Sequence, residues 1–220
     1  MKNILCYGDS NTWGMNPETG GRYPQNVRWT GCLQKLLGPE YRIIEEGQVG
    51  RTTVWDDPIE QNKNGKSYLI PCLETHTPVD MVILMLGTND LKVRFPVSGF
   101  DIARSVGTLV GMIQSHRCAG WERVPQIVVV RPAPILPEMD ETSTYGMFDY
   151  KAKQGVITQT KKEYPRVAAE NGCLYLDAEG IAEVSTVDCV HWTEKGHFKM
   201  AKELYQLISS AFVKEEGTAQ

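Results

Sequence analysis

The fold is decided by Ile4-Leu5-Cys6-Tyr7-Gly8-Asp9-Ser10-Asn11-Thr12, an apolar run that ends at a glycine and continues into an acid, a hydroxyl and an amide. Four apolar residues followed by a turn residue predict a buried parallel strand, which places Ser10 just beyond its carboxyl end. Open α/β sheets bind ligands in the crevice beyond those ends. A serine there can be a nucleophile if a base lies within reach, although the same residues can also form an ordinary polar turn.

Length and composition are typical of one globular domain. The chain has 220 residues, of which 41% are hydrophobic and 23% are charged. Its 23 Lys and Arg against 27 Asp and Glu give a net charge of −4, and no basic stripe is interleaved with aromatic residues, so no nucleic-acid partner is expected. No apolar run reaches the ~18 residues of a membrane span, and no signal-peptide segment precedes the first strand. We therefore expect a cytoplasmic protein without a membrane partner.

Six cysteines are spread over the chain and form no C-x-x-C pair. Most lie within apolar segments, so in a reducing compartment they are expected to be small buried residues rather than metal ligands or disulfides. We expect no metal and no other cofactor. The cysteines are Cys6, Cys32, Cys72, Cys118, Cys173 and Cys189.

Apolar runs alternate with amphipathic segments along the chain. Short apolar runs predict strands, and apolar spacings of three and four residues predict helices. The predicted strands lie at 4–7, 41–45, 79–86, 126–130 and 174–176, and the predicted helices at 29–37, 102–113, 156–168 and 193–212. A further helical turn or two is expected at 68–73, a kink at Pro165 and an N-cap at Thr193.

This alternation predicts an α/β fold, a three-layer α/β/α sandwich with a five-stranded parallel sheet of the flavodoxin-like type. No internal repeat or linker marks a second domain. Residues 1–213 are therefore assigned to one domain, and 214–220 to a disordered tail.

Polar residues that follow the predicted strands meet at one edge of a parallel sheet, whatever their separation in sequence. Ser10 is the candidate nucleophile and His191 the base that takes its proton. Asp188, three residues before that histidine, is suited to hold the second ring nitrogen. The backbone N–H groups of Ser10 and Gly50 and the side-chain amide of Asn89 are the candidate donors to a developing oxyanion. The edge therefore carries all the groups that acyl transfer needs.

Four segments resemble the sequence blocks of the SGNH, or GDSL, hydrolase superfamily. They are Gly8-Asp9-Ser10-Asn11 for block I, Gly50 for block II, Gly87-Thr88-Asn89-Asp90 for block III and Asp188-x-x-His191 for block V. The segments 4–16 and 46–53 are similar to small cytoplasmic arylesterases and acyltransferases of bacteria. That resemblance implies short-chain acyl esters, transfer of the acyl group to water or an alcohol, and a homo-oligomer whose loops narrow each active site.

Four residues near the candidate nucleophile and base are expected to line the substrate pocket. Two of them lie in a loop that is rich in turn residues and carries large apolar side chains, as binding surfaces often do. The four are Asn11, Trp13, Met15 and Val190.

The predicted activity is that of a serine esterase that forms an acyl-enzyme on Ser10. A carbohydrate acetylesterase on the same fold is the first alternative, with Arg51 and Arg131 as hydrogen-bond donors to the sugar. A metal-dependent phosphoesterase is the second, and a non-enzymatic flavodoxin-like binding module is the third. The metal ligands in the second alternative would be Asp9, Asp90, Asp188 and His191. No role is assigned to three histidines away from the strand ends, His76, His116 and His197.

Overall fold

One sheet of five strands forms the centre of the molecule. The structure, a computed structural model, describes residues 1–118, 121, 123–142, 144 and 146–218. The strands are β1 (Lys2–Gly8), β2 (Tyr41–Gly47), β3 (Met81–Met85), β4 (Gln126–Arg131) and β5 (Leu174–Asp177). Their order is β2-β1-β3-β4-β5, and every neighbouring pair is parallel. The predicted α/β class with a five-stranded parallel sheet is confirmed.

Helices cover both faces of the sheet. They are α1 (Ser10–Trp13), α2 (Trp29–Leu37), α3 (Gly65–His76), α4 (Gly99–Ser115), α5 (Tyr150–Glu170) and α6 (Glu194–Thr218), with short 3-10 helices at Asn89–Leu91 and Pro137–Glu141. One apolar core joins the sheet to α3, α4 and α5, and a second joins it to α2 and α6. The three-layer prediction is therefore confirmed.

Side-chain alternation in β1 explains why its sequence is apolar throughout. Leu5 and Tyr7 belong to one core, whereas Ile4 and Cys6 belong to the other, and all four are fully buried. Successive side chains of a strand point to opposite faces, so a central strand between two helical layers needs apolar residues at every position. Because β1 lies between β2 and β3, its carboxyl end is flanked by the carboxyl ends of two other strands.

Helices α3 and α5 differ from their predicted extents. α3 begins at Gly65, where the Asn64 side chain caps it by accepting the Lys66 N–H at 3.0 Å. α5 runs unbroken through Pro165. The proline removes the donor to the carbonyl of Lys161, but that residue is exposed, so water can replace the lost hydrogen bond.

The last helix begins as predicted and ends later than predicted. The Thr193 hydroxyl accepts the Gly196 N–H at 3.0 Å, which confirms the N-cap. The helix continues to Thr218. The assignment of 214–220 to a disordered tail stays a prediction. Lys214, Glu215 and Glu216 favour helix, and no breaker precedes Gly217. Residues 219 and 220 lie outside the described residues, and the assignment of 1–213 to one domain stays a prediction.

A buried histidine joins α2 to α6. His197 is fully buried, and its Nδ1 accepts the Trp29 N–H at 3.3 Å. The rings of Tyr23 and Trp192 pack against the imidazole with centroids 5.4 and 5.5 Å away. Burial lowers the pKa of His197 to about 3, so the folded protein keeps this ring neutral.

The free energy of unfolding is expected to fall as the pH drops below about 6.5, where a histidine in the unfolded chain gains a proton. Because the folded pKa of His197 lies below that value, its contribution is present above about pH 6.5 and is lost as the pH falls toward about 3. In this range the contribution of His197 to the free energy of unfolding falls by about 1.4 kcal/mol per pH unit. Urea unfolding of the wild type and His197→Gln at neutral and mildly acidic pH measures it. If the free energy of unfolding depended equally on pH in both proteins, His197 would not be the source of the pH dependence.

Candidate active site

Ser10 lies at the first position of α1, directly after β1. The Asp9 carboxylate caps this short helix by accepting the Asn11 N–H at 2.9 Å. Ser10 is 3% exposed, and Gly8 before it pairs with both β2 and β3. The candidate nucleophile therefore emerges where three strands end side by side.

Two hydrogen bonds connect the predicted nucleophile, base and orienting acid. His191 Nε2 lies 2.8 Å from Ser10 Oγ, and His191 Nδ1 lies 2.5 Å from Asp188 Oδ2. The other carboxylate oxygen, Asp188 Oδ1, accepts the backbone N–H groups of Val190 and His191 at 3.0 and 2.9 Å. The structure thus brings together three residues that were singled out from distant parts of the sequence.

The turn from Asp188 to His191 is held in an unusual backbone conformation. Cys189 has φ of 60°, and its carbonyl accepts the Leu136 N–H at 3.0 Å. The Thr144 hydroxyl donates to the Asp188 carbonyl at 2.6 Å. Burial by itself raises the pKa of the Asp188 carboxyl, but hydrogen bonds from His191 and from backbone N–H groups hold it below its ordinary value. Asp188 is therefore a carboxylate at neutral pH and can stabilise an imidazolium.

Asn11 connects the nucleophile segment to the histidine loop. Its side-chain amide donates to the Val190 carbonyl at 3.4 Å, and its Oδ1 accepts the Trp192 N–H at 3.1 Å. The residue after Ser10 thus bonds both neighbours of His191. The Val190 side chain packs in the core and is 4% exposed. These contacts assign Asn11 a positioning role that the sequence did not indicate, and the pocket role of both residues stays a prediction.

Trp13 and Met15 lie in the loop that leaves α1. The Arg22 guanidinium lies 5.2 Å from the centre of the Trp13 ring, and its Nε donates to the Trp13 carbonyl at 2.7 Å. Met15 forms an isolated antiparallel bridge with Arg22. Both side chains are partly exposed near Ser10, and their pocket role also stays a prediction.

The three candidate oxyanion donors follow β1, β2 and β3. The Ser10 N–H belongs to the first turn of α1, where helical N–H groups have no intrahelical partner. Gly50 has φ of 81°, a backbone conformation that strains residues with a Cβ, so this position favours glycine. The Asn89 amide donates to the Arg51 carbonyl at 3.1 Å, which leaves its second N–H for a ligand.

Buried polar residues fix the loop that carries Gly50. Arg51 is 2% exposed, and its guanidinium donates to the carbonyls of Glu46 and, at 2.8 Å, of Gly8. The Asp90 carboxylate accepts the N–H of Thr53 at 3.1 Å and also its hydroxyl. Burial raises the pKa of Asp90 to about 6 in spite of these hydrogen bonds. No sequence signal indicated the role of Arg51.

The two arginines that were considered for a sugar substrate are engaged within the protein. Arg131 is 2% exposed, and its guanidinium bonds Asp177 at 2.9 Å, Glu179 at 2.7 Å and the Thr160 hydroxyl at 3.2 Å. The Arg51 guanidinium donates to the backbone carbonyls of Gly8 and Glu46. The buried guanidinium groups have internal partners, as such groups need. The prediction that they contact a carbohydrate stays a prediction, because Arg51 also lines a polar cavity.

The four predicted ligands of a metal-dependent phosphoesterase do not form a cation site. Within the described ranges, no three of them bring ligand atoms within 4.8 Å of one another. The Asp188 carboxylate is hydrogen-bonded to His191, and the Asp90 carboxylate is hydrogen-bonded to Thr53. The metal-dependent phosphoesterase is therefore not supported, because these carboxylates form hydrogen bonds within the protein and are not arranged around a common cation.

Comparisons with known proteins identify the family of this chain. The sequence model of the GDSL-like Lipase/Acylhydrolase family matches residues 6–198. The native aryl esterase of M. smegmatis is 36% identical with a TM-score of 0.88, and the match covers 96% of this chain and 99% of that chain. A carbohydrate acetylesterase from Sinorhizobium meliloti is 33% identical with a TM-score of 0.86, covering 96% of this chain and 100% of that chain. A comparison with curated proteins gave no match. The chain belongs to the GDSL-like lipase/acylhydrolase family.

Proposed function

We propose that this protein is a carboxylic ester hydrolase that forms an acyl-enzyme on Ser10. The observation that carries the proposal is the pair of hydrogen bonds from Ser10 Oγ to His191, at 2.8 Å, and from His191 to Asp188, at 2.5 Å. Acyl transfer requires such a nucleophile, base and orienting acid in series. Family membership supports the same chemistry.

In the acylation step His191 Nε2 accepts the Ser10 proton while Oγ attacks the ester carbonyl. The ring can accept at Nε2 because its Nδ1 carries the proton that is donated to Asp188. The N–H groups of Ser10 and Gly50 and the amide of Asn89 stabilise the tetrahedral oxyanion. The leaving alcohol takes the proton from His191 as the carbon–oxygen bond breaks.

In the deacylation step His191 removes a proton from water, and the resulting hydroxide attacks the acyl group on Ser10. The serine oxygen leaves with the proton from His191, and the carboxylic acid is released. An alcohol can replace water in this step, in which case a new ester forms and the net reaction is acyl transfer.

Short acyl esters with aryl leaving groups are the proposed substrates. The 36% identity to an aryl esterase over nearly the whole chain supports this class. A panel of p-nitrophenyl esters from acetate to octanoate, with and without added alcohol, tests it on the wild type and on Ser10→Ala. We expect the highest kcat/KM with the shortest chains and faster p-nitrophenol release with alcohol. A maximum at octanoate would contradict the short-chain proposal.

A carbohydrate acetylesterase is the second candidate. A polar cavity of about 380 Å³ adjoins the loop that carries Gly50 and offers several hydrogen-bonding side chains, as a sugar site would. It is lined by Gln48, Arg51, Asp56, Asn62, Asn64, Ser67 and Tyr68. Rates on acetylated xylose and on phenyl acetate separate the candidates. Asn62→Ala should lower only the rate on acetylated xylose if the sugar occupies this cavity.

We also propose a cytoplasmic homo-oligomer. The resemblance of segments 4–16 and 46–53 to small cytoplasmic arylesterases and acyltransferases of bacteria supports this proposal. Light scattering coupled to size-exclusion chromatography measures the oligomer size, and a monomer at micromolar concentration would contradict the proposal. No helix in the described part of the chain has the length and apolarity needed to cross a bilayer.

Asn89→Ala is expected to lower kcat on p-nitrophenyl acetate by about 10²–10³-fold, the usual cost of one oxyanion donor. The variant also loses the 3.1 Å hydrogen bond to Arg51. Asn171→Ala is the matched control, because Asn171 likewise donates its amide to a backbone carbonyl, at 2.8 Å, far from the sheet edge. Near-wild-type turnover in Asn89→Ala would remove this residue from the oxyanion hole.

A further inference from the structure

A carboxylate, a thiol and an imidazole lie together outside the esterase site. Glu46, Cys72 and His76, here called the α3 cluster, have ligand atoms that all lie within 4.8 Å of one another. Glu46 is the second-last residue of β2, whereas the other two lie four residues apart on α3. Residues at this helical spacing share one face, so both side chains reach the same carboxylate.

The α3 cluster is closed on the core side and open toward solvent. Cys72 is fully buried and is a free thiol. The side chains of Glu46 and His76 are 19% and 22% exposed, and His76 Nε2 lies 2.6 Å from Glu46 Oε1. A cation can therefore reach the ligand atoms from the solvent side, and the Cys72 thiol contacts it from the core side.

The three ligand types are those of zinc sites. Zn²⁺ binds thiolate, imidazole and carboxylate at about 2.0–2.3 Å, so tetrahedral ligand atoms lie about 3–4 Å apart. The spread in the α3 cluster, at most 4.8 Å, needs only small side-chain rotations to reach that range. Three protein ligands leave a fourth position for water.

Charge also favours a soft dication. A Glu46 carboxylate and a Cys72 thiolate together balance a charge of +2. The nearby Arg51 guanidinium, 5.5 Å from the ring of Tyr68 on the same helix, opposes a cation that lacks strong ligand bonds. Ca²⁺ and Mg²⁺ prefer oxygen ligands and gain little from a thiol, so ions such as Zn²⁺ and Co²⁺ are selected.

We propose that the α3 cluster binds one divalent transition-metal ion of the Zn²⁺ class through Cys72 Sγ, His76 Nε2 and a Glu46 carboxylate oxygen. On binding, the metal–sulfur bond replaces the sulfur–hydrogen bond, and the thiol proton goes to solvent. His76 coordinates as the tautomer that carries its proton on Nδ1. The ion changes no oxidation state. The proposal is independent of the esterase assignment.

Titration of the full-length protein with Co²⁺ tests the site, because a thiolate ligand gives a charge-transfer band in the near ultraviolet. We expect this band in the wild type and competition by Zn²⁺. Cys72→Ser should abolish the band, and His76→Gln should raise the dissociation constant by about 100-fold or more, because loss of a residue that only hydrogen-bonds a metal ligand already lowers metal affinity by about 10–100-fold. Zn²⁺ should raise the melting temperature of the wild type more than that of either variant.

Cys173→Ser is the matched control, because Cys173 is a free, partly buried thiol beside β5 at the opposite edge of the sheet. It should keep the band and the dissociation constant. Absence of the band in the wild type, its persistence in Cys72→Ser, or equal weakening in Cys173→Ser would overturn the proposal. If Cys72→Ser fails to fold, an unchanged dissociation constant in His76→Gln is by itself enough to overturn the proposal. Metal that binds only at His191 gives no thiolate band and also overturns it.

Discussion

Ser10→Ala is expected to lower kcat/KM on p-nitrophenyl acetate by about 10⁴–10⁶-fold while the fold stays intact. The Ser10 hydroxyl bonds His191 at 2.8 Å, and Ser10 belongs to neither of the two apolar cores. Alanine also suits the first turn of a helix. The remaining rate would come from substrate binding and the oxyanion donors. Steady-state kinetics and circular dichroism on the same preparation check both parts of the expectation.

A fluorophosphonate probe gives a direct test of the acyl-enzyme step at Ser10. We expect one phosphonyl group per wild-type chain, located by peptide mass spectrometry, and none on Ser10→Ala. Ser115→Ala is the control, because Ser115 is an exposed serine at the end of α4 and its loss should change neither rate nor labelling. Labelling at another residue, or substantial turnover in Ser10→Ala, would show that the nucleophile is misassigned.

His191→Gln is expected to lower kcat by a similar factor, about 10⁴–10⁶-fold, because the Ser10 hydroxyl then has no base to take its proton. Nucleophile and base act as one unit, so the double variant Ser10→Ala/His191→Gln should be scarcely slower than either single variant. The His191 side chain is 14% exposed and contributes little to the core, so the variant should remain folded. Kinetics of both single variants and the double variant measure the coupling.

The control for His191 is His116→Gln, which changes a histidine remote from the sheet edge and should keep wild-type kinetics. Multiplicative losses in the double variant would mean that Ser10 and His191 act independently. That outcome would contradict a mechanism in which the histidine activates the serine.

Much of the fold and the centre of the site could be predicted because a parallel sheet gathers residues by topology. Ser10 follows β1 and Asp188 and His191 follow β5, so identifying the strands was enough to place all three at one edge. Spacing also predicted most helices, since apolar residues recur every three or four positions. These predictions needed only local pattern and strand order.

The groups that fix the site depend on contacts between distant segments and could not be predicted. Asn11 bonds the backbone of Val190 and Trp192 about 180 residues away, and Arg51 bonds Gly8 across 43 positions. Nothing local distinguishes such an asparagine or arginine from one on the surface. The left-handed backbone of Cys189 was equally hidden, because that conformation is imposed by the hydrogen bonds around Asp188.

The order in which the triad enters the chain has a consequence for biosynthesis. Ser10 follows β1, the first strand of the sheet in chain order, whereas Asp188 and His191 follow β5. A growing polypeptide therefore carries Ser10 without its base until the residues that follow β5 have been synthesised. The hydrogen bond between Ser10 and His191 can form only when the loop after β5 docks, so the order of synthesis delays activation of the serine.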